Sequence, residues 1–400
     1  MMKRYEHLGP FSDLVAAANR SSKLYPLAKP GRKTQRLFRQ LLAFTPGPEL
    51  PHAVQTGRRW TRDGIDGEEI SWWVGYGPRT EAWLLRPAGV KGKLPGIVAL
   101  HDHGAFKFYG KEKIAEGPEQ TPALILNFWR QYYGDRAFPN ALVREGFAVL
   151  VHDTFSWGSR KFPLDSMPKN DRLIGQQMAP IWGQDDPSQR WSKGHDAKRA
   201  AAPREAAEIA EYNACSWAHE HSIAKYCNAL GISFPGVVAY EDRIAVNYLA
   251  GRPDVDGRRI GCVGLSGGGT RAVLLQGSCD RIGCAVSVGA MCTYEGLLDH
   301  NVLGHTWMLF PVGWARHGDW PDIAACRAPS PLMVQNDLDD PLYTVAGMKA
   351  AHRRIAGHYR AVGKPDHYAG EFYPGPHKFD LEMQRSAFAW LRQWLGPGLA

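Results

Sequence analysis

Short apolar runs, each ending in a polar or glycine-rich loop, recur along this chain with helical stretches between them. The run LPGIVAL ends in HDHG at His101 to Gly104, and Phe147 to Val151 ends in His152-Asp153. RRIGCVGL then leads into SGGG, and PLMVQ into NDLDD. Continuous apolar runs of this length read as strands buried on both faces, with the helical stretches as crossover connections. Upstream, EISWWVGY from Glu69 and TEAWLLRP are aromatic and β-branched runs split by a Gly-Pro turn, which predicts a hairpin. PREAAEIAEYNACSWAHEHSIAKYCNALG carries Ala, Ile and Leu at helical spacing and stops at Gly231, predicting a helix from Pro203 to Leu230. YEDRIAVNYLAG, Thr270 to Gln276 and Leu381 to Leu395 predict further helices. The whole reads as an α/β protein with a mainly parallel central sheet and helices on both faces. In such sheets ligands sit beyond the carboxyl ends of the strands, so the strand-end loops are where chemistry is expected.

The pattern also divides the chain. Residues 1–68 mix helical and turn-rich stretches without a chemical motif and read as a helical extension packed on the core, with 69–400 as the main domain. Arg160 to Ala200 is polar, rich in Trp, Pro and Gln, aperiodic, and too long for an ordinary connection. Together with the helix after it, this stretch makes 160–230 a candidate inserted lid or cap.

Composition narrows the class. With 400 residues, 44% hydrophobic and 22% charged, the chain has an ordinary globular composition and disorder is not expected. Lys and Arg exceed Asp and Glu by 48 to 40, a net +8, yet the charges are scattered. The densest basic stretches, at Lys3-Arg4 and Arg32-Lys33, lack the interleaved aromatics of a nucleic-acid binder, so no nucleic-acid partner is expected. The seven cysteines form no C-x-x-C pair and read as reduced core thiols. With no signal-like apolar stretch and no run of 18 apolar residues, the expected location is cytoplasmic, without a membrane partner. The sequence leaves a homo-oligomer open.

The candidate chemistry centres on Gly264-Leu265-Ser266-Gly267-Gly268, which follows one predicted strand and precedes a predicted helix. That is the context G-x-S-x-G requires: small residues two before and two after the serine allow a strained turn that lifts the hydroxyl above the sheet. A phosphate loop would need a different glycine pattern, which is absent. A serine hydroxyl needs a base. PLMVQNDLDDPL supplies Asp337, Asp339 and Asp340, and FYPGPHKFD places His377 in a Pro-Gly loop before the last helix. The order Ser, Asp, His is the one expected of a serine hydrolase built on such a sheet. Asp340, furthest past the strand and directly before a proline, is favoured as the acid, with Asp337 and Asp339 as alternatives. His352, His358 and His367 lie on charged helical segments and are expected at the surface. For the oxyanion, the backbone N–H of Gly267 is one donor. The second comes from HDHGAF, with His103 favoured over Asp102 and Gly104. The competing reading of His101 and His103 as metal ligands, joined by Asp102 or Asp153, lacks a clear third ligand, so no metal is expected. Asp153 itself reads as a structural turn residue.

These motifs, HDHG, GLSGGGTRAVLL, HTWM at His305 to Met308, QNDLDDPL and GPHKFD, resemble the bacterial α/β-hydrolases grouped with dienelactone hydrolases and acetyl xylan esterases. The likeness spans about Leu94 to Leu395 and implies an α/β-hydrolase fold and an ester-cleaving enzyme without a cofactor. Its substrate would be a small-molecule ester, with Ser266, Asp340 and His377 as triad. Dienelactone hydrolases proper are shorter and carry cysteine where Ser266 stands, and HDHG replaces the H-G-x-G of many relatives, so lactone specificity is not implied. His305 and Trp307 are candidates for the substrate pocket. Trp157, Trp182, Trp191, Trp307, Trp314 and Trp320 either stack on a sugar or aromatic ring or pack the cap onto the core. Two further readings remain: cleavage of a peptide or carbon-carbon bond on the same triad, and a binding protein on the same scaffold. The intact triad argues against the second, and Ser266 in place of an aspartate argues against haloalkane dehalogenation.

Overall fold

The apolar runs pair as the pattern predicts. In the computed structural model, which describes residues 5–184 and 204–396, nine strands form a single sheet. They are β1 (His52–Arg62), β2 (Ile65–Trp73), β3 (Thr80–Pro87), β4 (Leu94–Leu100), β5 (Ala148–His152), β6 (Val255–Leu265), β7 (Ile282–Val288), β8 (Leu332–Asp337) and β9 (Tyr368–Tyr373). Their order is β1-β2-β3-β5-β4-β6-β7-β8-β9. The first three strands are antiparallel, β3 meets β5 antiparallel, and every pairing from β5 to β9 is parallel.

Three strands, β1, β7 and β9, were not predicted. β1 lies at the sheet edge with almost every residue exposed, so it carries no alternation to betray it. It brings residues 52–62 into the sheet, while the helix Arg32–Leu42 before it lays Phe38 and Leu42 into the core. β7, a short buried run, has no chemical motif at its end to mark it.

Strand alternation serves two cores. Val98, Leu100, Ile260 and Cys262 face one, and Ile97, Ala99, Val263 and Leu265 face the other. Phe234–Ala250, Gly267–Ser278 and Val345–Ala361 cover the first face; Ala123–Tyr132, Phe138–Val143 and Leu381–Leu395 cover the second. Phe234–Ala250 starts where Ser233 Oγ accepts the Gly236 N–H, with Pro235 in the first turn. All seven cysteines are buried and free. Two helices, Lys169–Gln184 and Arg204–Ala229, pack on each other in the region read as a lid. The segment between them, with Trp191, lies outside the described residues. Among the described residues no helix is long and apolar enough to cross a membrane.

Candidate active site

The centre of the sheet presents Ser266 at the end of β6. Its φ of 57° and ψ of −119° put a non-glycine residue in a left-handed, strained turn, at a cost of about 1–3 kcal/mol. Tight packing holds it there. The Ser266 N–H donates to Val288 O of β7 at 2.8 Å, and the helix Gly267–Ser278 begins immediately after. A Cβ at Gly268 would stand 2.2 Å from Leu100 O of β4, so only glycine lets this helix close on the sheet.

Beyond β8, three aspartates take three different partners. Asp340 Oδ2 lies 2.6 Å from His377 Nδ1, while its Oδ1 accepts the Leu342 N–H at 2.8 Å. Asp339 accepts the Gly375 N–H in an exposed turn, and Asp337 accepts the Lys378 N–H. Asp340 is thus the carboxylate bonded to the imidazole. Burial would lower the His377 pKa, but the Asp340 charge outweighs it and the group ends above its ordinary value. Burial, aided by the Asp340 charge, pushes Asp337 up to about 7. A carboxyl held partly neutral explains how Asp337 and Asp340 can sit with His377 within 4.8 Å of one another. His377 Nε2 is buried without a partner among the described residues, so no hydrogen bond joins it to Ser266 Oγ in this structure.

The HDHG loop closes the other side. A Cβ built on Gly267 would lie 2.5 Å from the His103 backbone nitrogen, so the backbones of Gly267 and His103 pass close to each other. The loop is pinned by buried charge. Asp102 accepts from Tyr133 Oη at 2.7 Å and Lys113 Nζ at 3.1 Å, and Arg271 donates to His101 O. His103 Nδ1 accepts the Ala105 N–H, so the proton belongs on Nε2, which faces Glu220 at 2.8 Å. Glu220, on Arg204–Ala229, also takes Lys107 Nζ at 2.5 Å, Thr306 Oγ1 at 2.9 Å and the Trp307 N–H at 3.1 Å. Burial would raise its carboxyl, but Lys107 and His103 hold it well below the usual range.

These groups surround a cavity of about 90 Å³ whose wall includes Ser266, Gly267, His103, His377 and His305. Trp217, Phe128, Tyr132, Tyr343 and Thr270 also line it, and none was singled out from the sequence. Trp217 sits on a helix whose spacing marked only a core face. The expectations for Trp307 and for the surface histidines need correction, while the other residues follow readings that the sequence had offered. Trp307 is not among the lining residues: its indole N–H donates to His221 Nδ1. Trp157, Trp314 and Trp320 are fully buried, with indole N–H groups bonded to carbonyls, and so pack the core. Trp182 stands in a helix of which the side chain is not described. His358, expected at the surface, is buried against Asp322 at 2.7 Å, and His352 and His367 are half-buried. His101 and His103 do not converge on a common point, since one ring faces the Asp102 carbonyl and the other Glu220. Asp153 is a buried turn residue, bonded to Lys111 and to the Ser159 N–H.

No protein-family model matches the sequence. The chain is 21% identical over 364 residues to "Putative hydrolase YtaP" of Bacillus subtilis (strain 168), covering 91% of this chain and 99% of that protein. Among solved structures it is similar to a "putative acetyl xylan esterase (BF1801)" from Bacteroides fragilis NCTC 9343. The TM-score is 0.62 at 15% identity, over 92% of this chain and 82% of the other. It is also similar to a glucuronoyl esterase from Solibacter usitatus, with a TM-score of 0.57 at 12% identity over 92% and 95% of the two chains. At such identities the likeness is one of fold, and the fold is that of the α/β-hydrolases.

Proposed function

We propose that this chain is a serine esterase that cleaves short-acyl carboxylic esters through an acyl-enzyme. The observation that supports this most is the convergence on one cavity of the strained Ser266, the buried His377–Asp340 pair, and the closely spaced backbones of Gly267 and His103.

In this reading a rotation of the Ser266 side chain brings Oγ to His377 Nε2. The imidazole takes the hydroxyl proton as Oγ bonds the ester carbonyl carbon, and Asp340 stabilises the imidazolium that forms. The carbonyl oxygen becomes an oxyanion held by the Gly267 and His103 N–H groups, at the N-terminus of the helix after the serine. His377 then gives its proton to the departing alkoxide, leaving the acyl group on Ser266. Water, deprotonated by the same histidine, adds to that ester and releases the acid with Oγ reprotonated. An engineered cavity of about 150 Å³ admits benzene. The 90 Å³ here therefore favours acetyl and similarly small acyl groups. The esterase names of the structural neighbours agree with this reading.

The 160–230 segment fits the role of a cap, because Trp217 forms part of the cavity wall and Glu220 ties its helix to the HDHG loop. The test is hydrolysis of p-nitrophenyl esters from acetate upward by the purified protein and by Ser266→Ala. Rates should fall steeply with acyl length, and the variant should lose about five to six orders of magnitude. Equal rates in both proteins would remove Ser266 from the mechanism.

A further inference from the structure

His305 is a second imidazole on the cavity wall, outside the triad. It is 8% exposed, and its Nε2 is buried without a partner among the described residues. Leaving a buried nitrogen unsatisfied destabilises a fold, and structure alone gives no reason to carry that cost. The ring packs on Tyr343 with centroids 4.8 Å apart, which fixes its plane. A hydrogen bond to the Leu342 backbone favours the protonated ring, so the ring donates there; with Nε2 unpartnered, the donor is Nδ1. Burial lowers the group to about 4, so the ring is neutral near pH 7 and Nε2 offers a lone pair. His305 and His377 line the same cavity, and Asp340 and His377 are both near enough to act on the charge of the His305 ring.

We propose that His305 is a specificity-determining residue whose Nε2 accepts a hydrogen bond from a hydroxyl on the alcohol half of the ester, next to the scissile oxygen. The proposal rests on the esterase reading above. A carbonyl or ether oxygen at that point would face a lone pair, and an alkyl group would leave Nε2 unpaired. The site therefore selects alcohols that carry a second hydroxyl over alkanols of the same size.

The experiment compares kcat/KM for 2-hydroxyethyl acetate and propyl acetate, which differ in hydroxyl against methyl. It uses the full-length wild type, His305→Phe and His305→Gln, with p-nitrophenyl acetate as a common reference. The wild type should prefer the hydroxyl ester by about 10- to 100-fold. His305→Phe, which keeps a ring against Tyr343 but has no acceptor, should bring the ratio to near one. His305→Gln, which restores an acceptor oxygen, should recover part of it. Using a ratio cancels any general loss of activity in the variants, and the wild-type ratio stands even if the Phe variant fails to fold. A wild-type ratio near one, a Phe variant with the wild-type ratio, or cleavage of p-nitrophenyl acetate with neither alkyl ester turned over would each overturn the assignment. Failure to cleave p-nitrophenyl acetate at all would instead remove the esterase reading, and the proposal with it.

Discussion

Asp340 and Asp337 lie three positions apart, both buried beside His377, yet they are put to different uses. Asp340 bonds Nδ1 at 2.6 Å and so, in the proposed mechanism, fixes which nitrogen acts as base. In Asp340→Asn the amide can donate to Nδ1 and favour the wrong tautomer, so kcat should drop about 10⁴-fold while the fold is kept. Steady-state kinetics with a circular dichroism control checks this. Asp337 touches His377 only through its charge, which helps to raise the imidazole pKa. The imidazole must be neutral to act as base, so kcat/KM should rise with pH through a pKa above the ordinary histidine value of about 6.5. Asp337→Asn removes a negative charge that favours imidazolium, so the acid limb should move to lower pH, with kcat on the plateau changed by less than about tenfold. An unchanged limb in the pH–rate profile would show that Asp337 does not reach the base.

At the scale of elements, the site depends on how closely the helix Gly267–Ser278 seats on β4. Gly268 is the contact: a Cβ there would meet Leu100 O, a backbone atom that cannot swing aside. Gly268→Ala should destabilise the fold by about 1–3 kcal/mol, read as a lower urea midpoint. Esterase activity should fall with it, because Ser266 and the Gly267 N–H move with the first turn. A midpoint within error of wild type would mean that the helix has room the structure does not show. The glycines of this turn were legible in the sequence because their purpose is local. The same holds for Leu381–Leu395, whose bounds match the prediction, since an acidic N-cap at Asp380 and a single apolar stripe are also local signals.

For the molecule as a whole, Glu220 joins parts that are far apart in the chain. One buried carboxylate on the helix Arg204–Ala229 gathers His103 and Lys107 from the HDHG loop, and Thr306 and Trp307 from the segment beside His305. Glu220→Ala would leave the buried Lys107 ammonium without its carboxylate, at a cost of about 3–5 kcal/mol, measurable by chemical denaturation. kcat should fall as well, because the His103 N–H loses its anchor. If stability holds and kcat does not change, the cap and the loop are not coupled through this residue. By itself, the sequence determined the parallel sheet, the strained turn at Ser266 and the order Ser, Asp, His. Those features are written in periodicity, in glycine placement and in chain order, all of which act over a few residues. The sequence favoured Asp340 but left Asp337 and Asp339 open, and it took the tertiary structure to bring Asp340 to a histidine 37 positions away. Tertiary structure also decided that Glu220 meets His103 across 117 positions, and that Trp217 rather than Trp307 faces the cavity. Such contacts depend on where loops travel after they leave the sheet, and no short-range pattern encodes that path.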